Sequence, residues 1–167
     1  MIRIRNFSAL IISLAYTTAV TAADWPGYRG PNRDGVSSET GLSPWPKDGP
    51  PLRWTFTKAG AGYGSPAVSK GIIYLLGTRE KNEVVLAIDA SGKELWTSVI
   101  GPIFDFQGNS WSGGPNATPT IADGKVYAQG SQGILACFDA TSGKQAWSID
   151  LVKELAAEIN PVGGGPA

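Results

Sequence analysis

The sequence predicts an all-β chain built from repeated four-stranded antiparallel sheets, and three observations predict it. The chain repeats itself. Within each copy, β-branched and aromatic residues cluster in runs of about five to eight between turn signals. Finally, 22 glycines and 12 prolines in 167 residues supply the turns that such short strands need. Four antiparallel strands recurring every fifty or so residues describe one blade of a β-propeller, in which each sheet buries both faces against its neighbours.

The two copies open at Ser65-Pro66-Ala67-Val68 and Thr118-Pro119-Thr120-Ile121. Pro66 and Pro119, Tyr74 and Tyr127, and Gly77 and Gly130 each lie 53 residues apart. Asp89 and Asp139 are separated by 50, and Gly92-Lys93 with Trp96 match Gly143-Lys144 with Trp147 at 51. The length differences fall in turns. The first copy is expected to place strands at 65–69, 72–78, 84–89 and 94–99, with a longer hairpin tip from Thr78 to Glu83. The second places them at 118–122, 125–129, 134–139 and 145–149. Asp123-Gly124 is a strong two-residue hairpin signal because such a turn needs positive φ, and Lys70-Gly71 serves the same purpose less specifically. Apolar residues on both sides of Ile72–Leu76 and Val84–Ile88 fit a sheet covered on both faces.

These marks divide residues 52–167 into an outer strand at 52–57, a blade at 64–100, a blade at 117–150 and the start of a third at 162–167. The first strand follows from Leu52-Arg53-Trp54-Thr55-Phe56, where Trp54 stands where Trp96 and Trp147 stand in the copies. The third start follows from Gly62-Tyr63-Gly64, Gly113-Gly114-Pro115 and Gly164-Gly165-Pro166, each 51 residues from the next. Closing a ring takes about four or more blades, so two complete blades are expected to belong to a longer product, the alternative being a short chain that oligomerises.

Residues 1–23 read as a signal peptide. Arg3 and Arg5 precede an apolar run from Phe7 to Tyr16, and small residues lead to Thr21-Ala22-Ala23. The alternative of an uncleaved anchor is disfavoured because the run is short of the roughly 20 residues a span needs. Export to the periplasm or beyond is therefore expected, with residues 24–51 an irregular N-terminal segment. Without Arg3 and Arg5 the chain carries 12 basic residues against 14 acidic ones, which offers nothing to nucleic acid. With a single cysteine, Cys137, and no histidine, the chain has no intrachain disulfide, Cys/His zinc site or histidine-based catalytic group.

Ala87-Ile88-Asp89-Ala90-Ser91-Gly92-Lys93-Glu94-Leu95-Trp96 and Cys137-Phe138-Asp139-Ala140-Thr141-Ser142-Gly143-Lys144-Gln145-Ala146-Trp147 resemble the tryptophan-docking repeat of pyrroloquinoline-quinone-like (PQQ-like) propellers, A-x-D-x-x-x-G-x-x-x-W. The second matches in spacing, and the first is one residue short between Asp89 and Gly92. Asp24-Trp25-Pro26-Gly27-Tyr28-Arg29-Gly30-Pro31-Asn32-Arg33-Asp34-Gly35 is also similar to the start of exported proteins of this family. The resemblance implies an incomplete propeller of about seven or eight blades. It also implies a structural, blade-docking role for Asp89, Gly92, Trp96, Asp139, Gly143, Trp147 and Trp54. Aspartate accepts turn amides, glycine takes positive φ and tryptophan packs flat on the adjoining blade. The family holds both quinoprotein alcohol or sugar dehydrogenases that use PQQ and calcium and BamB-like assembly propellers that use neither. The chain lacks the adjacent-cysteine pair typical of the dehydrogenases, and no catalytic residue is assigned. The expectation is an exported binding or assembly scaffold needing no cofactor, with a protein or cell-envelope partner and no membrane span after cleavage. The rival is a PQQ- and calcium-dependent dehydrogenase in the full-length protein.

Other candidates are local. Gly60-Ala61-Gly62-Tyr63-Gly64 has the glycine density of a phosphate loop, but such loops open a helix and this one leads into a strand, so it is read as a flexible lead-in. Trp111, in the connection to the second blade, is the candidate surface for a stacked cofactor or glycan near the ring axis. Asp105, Gln107 and Asn109 alternate oxygens as calcium ligands do. Asn116-Ala117-Thr118 fits a glycosylation sequon, read as incidental. Lys153–Ile159 is expected to be an amphipathic helix ended by Pro161, and Cys137 a buried strand residue.

Overall fold

The computed structural model of the chain describes residues 23–104 and 113–159. Among these residues eight strands and one short helix follow in order: β1 (Ala67–Ser69), β2 (Ile72–Arg79), β3 (Asn82–Ile88), β4 (Glu94–Pro102), β5 (Thr120–Ala122), β6 (Lys125–Gln129), β7 (Ile134–Asp139), β8 (Gln145–Asp150) and α1 (Leu151–Leu155). The strands form two antiparallel sheets in sequential order, β1-β2-β3-β4 and β5-β6-β7-β8. Each is one four-stranded blade.

Turn chemistry sets the first hairpin of each blade. Lys70 and Gly71 have φ of 51° and 75°, and Asp123 and Gly124 have 49° and 71°. Two consecutive left-handed residues match the twist of the flanking strands, so Ser69 pairs with Ile72 and Ala122 with Lys125 without a gap. The first strands start two residues later than expected, at Ala67 and Thr120. Pro66 and Pro119 have no N–H for the ladder, which holds them outside it. The tip between β2 and β3 is tighter than its length suggested, because the ladder continues to Arg79 and Asn82 around Glu80, at φ 51°.

Between the third and fourth strands the register shifts at Ala87/Ile88 in one blade and at Cys137/Phe138 in the other. These equivalent bulges follow the pairs Ala87–Trp96 and Cys137–Trp147, and a bulge twists the strand and turns the side chains beside it. Tyr74 and Trp96 tilt against each other at 6.0 Å and 52°, as do Tyr127 and Trp147 at 6.2 Å and 52°.

One core lies between the blades. Tyr74, Leu76, Val85, Ala87 and Ile100 of the first sheet meet Val126, Ala128, Ala136, Phe138 and Ala140 of the second. Ala87, Ala128, Ala136 and Ala140 lie among the bulkier members of this cluster. Alternate β3 residues Val84, Leu86 and Ile88 point to the opposite face and are buried as well. Residues 54–60 cross that side, with Trp54 against Gly92 and the Ala59 carbonyl against Gly77. Residues 52–57 pair with no ladder among the described residues, and Trp54 keeps its docking position. The third-blade start at 162–167 and the leader at 1–22 lie outside the described residues.

The helix forms earlier and is shorter than expected. Asp150 caps it, accepting from Lys153 N at 3.1 Å, while Glu154 accepts from Asp150 N at 3.2 Å. Ala156, in the left-handed conformation at φ 54°, stops it five residues on, before Ile159. The capping aspartate is also the last residue of β8.

Candidate functional site

The conserved geometry of the two copies is centred on the turn between the third and fourth strands of each blade. In the first, Asp89 Oδ1 accepts from Ser91 N at 2.8 Å, Ser91 Oγ at 2.6 Å and Lys93 N at 3.0 Å. In the second, Asp139 Oδ1 accepts from Thr141 N at 3.2 Å, Ser142 N at 3.0 Å and Ser142 Oγ at 2.9 Å. The Ser91 hydroxyl, then the Lys93 amide, hold the Asp89 carboxyl below its ordinary range. For Asp139 the Ser142 hydroxyl leads, followed by the Ser142 amide, with Lys125 Nζ 3.4 Å away adding to it. The missing residue in the first copy leaves this arrangement intact, since Gly92 N and Gly143 N both donate to the aspartate carbonyl at 2.9 Å.

Each turn receives a tryptophan from the element before it. Trp54 Nε1 donates to Ala90 O at 2.9 Å, and its ring lies on Gly92, where an added Cβ would stand 2.8 Å from Cδ2. Trp96 Nε1 donates to Ala140 O at 3.1 Å, and its ring lies on Gly143, where a Cβ would stand 2.6 Å from Cδ2. Both glycines have positive φ, 86° and 70°. Ser98 Oγ adds a bond to Gly143 O at 2.6 Å, and the Tyr74 hydroxyl donates to Ala140 O at 3.2 Å. Burial, with the Asp139 and Asp24 charges, pushes that phenol above its ordinary value. Trp147 repeats the position on the second blade but is 44% exposed, on a face shared with Tyr127 and the buried Cys137.

The opposite rim carries the connections between blades. The lead-in at residues 60–64 stacks on the equivalent loop at 113–117, with Tyr63 N donating to Pro115 O at 2.9 Å. A Cβ on Gly60 or Gly64 would collide with the Thr78 or Ala117 carbonyl. The glycine run is thus a place of close backbone approach, which corrects its reading as a flexible lead-in. Beneath these loops lies Glu83, fully buried, accepting from Ser131 N at 2.7 Å and Phe104 N at 3.4 Å. It ties the β3 end of the first blade to the β6–β7 turn of the second. The sequence reading missed it; its one signal is a carboxylate heading the apolar run Val84–Ile88.

Trp111 and the oxygen series Asp105, Gln107 and Asn109 lie outside the described residues. Among the described residues no three or more His, Cys, Asp or Glu side chains gather as a metal-ligand set. No helix among them is long and apolar enough to cross a membrane.

None of the curated proteins matches the chain in sequence. Among solved structures, quinohemoprotein alcohol dehydrogenase from Comamonas testosteroni superimposes with a TM-score of 0.58 at 24% identity, over 78% of this chain and 20% of its own. BamB from Moraxella catarrhalis gives a TM-score of 0.39 at 22% identity, over 57% of this chain and 28% of its own. The chain therefore spans about a fifth of the length of the dehydrogenase, whose likeness establishes the propeller fold. A family model described as outer membrane protein assembly factor BamB matches residues 80–164, just over half the chain. With two four-stranded blades joined by tryptophans seated on glycine turns, the chain belongs to this family of PQQ-like β-propeller repeat proteins.

Proposed function

We propose that this chain contributes blades to an exported scaffold propeller of the cell envelope, one that binds other proteins during assembly. The observation that carries the reading is the occupation of the repeat residues. Asp89 and Asp139 accept from the amides and hydroxyls of their own turns, and Gly92 and Gly143 seat the rings of Trp54 and Trp96, whose indole N–H groups bond the same turns. Trp147 occupies the same place on the second blade and belongs to the same docking set. Such residues build a rigid surface without performing chemistry on it. The family description names an outer membrane protein assembly factor, and the leader-like sequence of residues 1–23 supports an export route.

PQQ and calcium are not required in this reading. The test is direct. The full-length protein is supplied with PQQ and calcium and assayed for dye-linked oxidation of alcohols and sugars. In parallel, photo-crosslinkers on the connection rim are used in the envelope of the native host. Crosslinks to nascent outer-membrane proteins without turnover are expected. Robust PQQ- and calcium-dependent oxidation would overturn the scaffold reading in favour of a dehydrogenase.

A further inference from the structure

The segment ahead of the blades does more than connect. Trp25 pairs with Val68 in both directions, Trp25 N to Val68 O and Val68 N to Trp25 O, each at 2.8 Å. The next residue turns to the other blade, where Pro26 O accepts from Ile121 N at 2.7 Å. Two consecutive residues thus bond the free edges of β1 and β5, the first strands of adjacent sheets. In a propeller the first strands are the innermost, so this crossing lies on the axial side of the blades.

The crossing is anchored at both ends. Asp24 Oδ2 accepts from Ser69 Oγ and Oδ1 from Lys70 N, each at 2.8 Å, which fixes it to the β1–β2 turn. Beyond it, residues 27–35 fold back on themselves. Gly30 N donates to Gly27 O at 3.1 Å, and Gly35 N to Arg29 O at 3.0 Å. An Arg29 guanidinium nitrogen donates to Asp34 O at 3.2 Å. Gly30, buried and at φ 79°, lies against the Trp25 ring, where a Cβ would stand 2.7 Å from Cζ3. Trp25 is therefore clamped between its own turn and the inner strands. A cleft of about 310 Å³ is lined by this turn, Tyr28 and Arg33 included, and by Thr120 and Ile121.

We infer that Asp24–Gly35 is an axial strap. It bonds the inner edges of two adjacent blades and fixes their spacing. An unpaired inner edge is a template for foreign strands, and the strap removes it. Anything approaching the axis from that side meets Tyr28, Pro31 and Arg33 before it meets the inner strands.

Amide exchange of the full chain, read residue by residue, tests this. Three variants are compared with the wild type: Asp24→Ala, Gly30→Ala and deletion of residues 24–35. In the deletion, exchange at Val68 and Ile121 should accelerate at least tenfold while β3 amides keep their protection. Gly30→Ala should do the same by lifting Trp25, and Asp24→Ala should free Lys70 first. Unchanged exchange at Val68 and Ile121 in the deletion would overturn the inference. If the deletion unfolds both blades, Gly30→Ala decides: acceleration confined to the first strands supports a strap, and equal acceleration of β3 overturns it.

Discussion

Replacing Gly143 by Ala, Trp96 by Ala, and both together measures the joint between the blades. Gly143 sits at φ 70°, where a Cβ costs roughly 1–2 kcal/mol by itself. That Cβ would also lie 2.6 Å from the Trp96 ring, a distance at which the indole must leave its seat. Leaving breaks the Nε1–H bond to Ala140 O, worth about 1 kcal/mol, and part of the ring's packing. G143A should therefore cost about 3–4 kcal/mol. W96A, removing a half-buried indole, should cost about 3 kcal/mol. In the double variant the clash with the ring has no partner, and what is added is the backbone cost of Ala at positive φ together with the 2.9 Å approach to Ser98 Oγ, both of which the single G143A variant shares. The sum of the single effects should then exceed the double by about 2 kcal/mol, a coupling measured by urea unfolding followed by tryptophan fluorescence. Additivity within about 0.5 kcal/mol would refute the claim that the glycine is required by the ring above it.

Three further outcomes follow from the same contacts. Glu83→Ala leaves the buried Ser131 N–H without its acceptor and should destabilise by about 2 kcal/mol in urea unfolding, with Glu83→Gln costing less because its amide oxygen still accepts. Gly77→Ala drives a methyl into the Ala59 carbonyl and should cost upwards of about 3 kcal/mol, read as a lower melting temperature. The Asp89 and Asp139 carboxyls titrate below their ordinary value in the fold, so their contribution is complete above the unfolded pKa of about 3.9 and is lost as the pH falls through the folded one. Wild type should lose stability below about pH 4, and Asp89→Asn with Asp139→Asn should flatten that part of the pH profile.

Much of the fold was legible because its causes are local. Asp123-Gly124 makes its own turn, Pro119 keeps itself out of the ladder, and a spacing of 50 to 53 residues announces the blades before any contact is known. The partners of these features were less legible. The strand expected around Trp54 needs a neighbour, and residues 52–57 pair with none among the described residues. Trp54 docks all the same, because its seat is a turn rather than a ladder. Glu83 drew no notice in the sequence, since what makes a carboxylate tolerable in the interior is a pair of amides 21 and 48 residues away.

The sequence by itself determined the repeat, the hairpins and the identity of the aspartate, glycine and tryptophan that recur, because short-range backbone preference and periodicity are written in neighbouring residues. Only the tertiary structure decided what each of them faces. The ring over Gly143 comes from Trp96, 47 residues earlier. The cover on β1 and β5 comes from Trp25 and Pro26, in a segment with no strand pattern. The glycines at 60 and 64 are required by carbonyls of Thr78 and Ala117. Distance in the chain hides such contacts, and the packing of one blade on the next creates them.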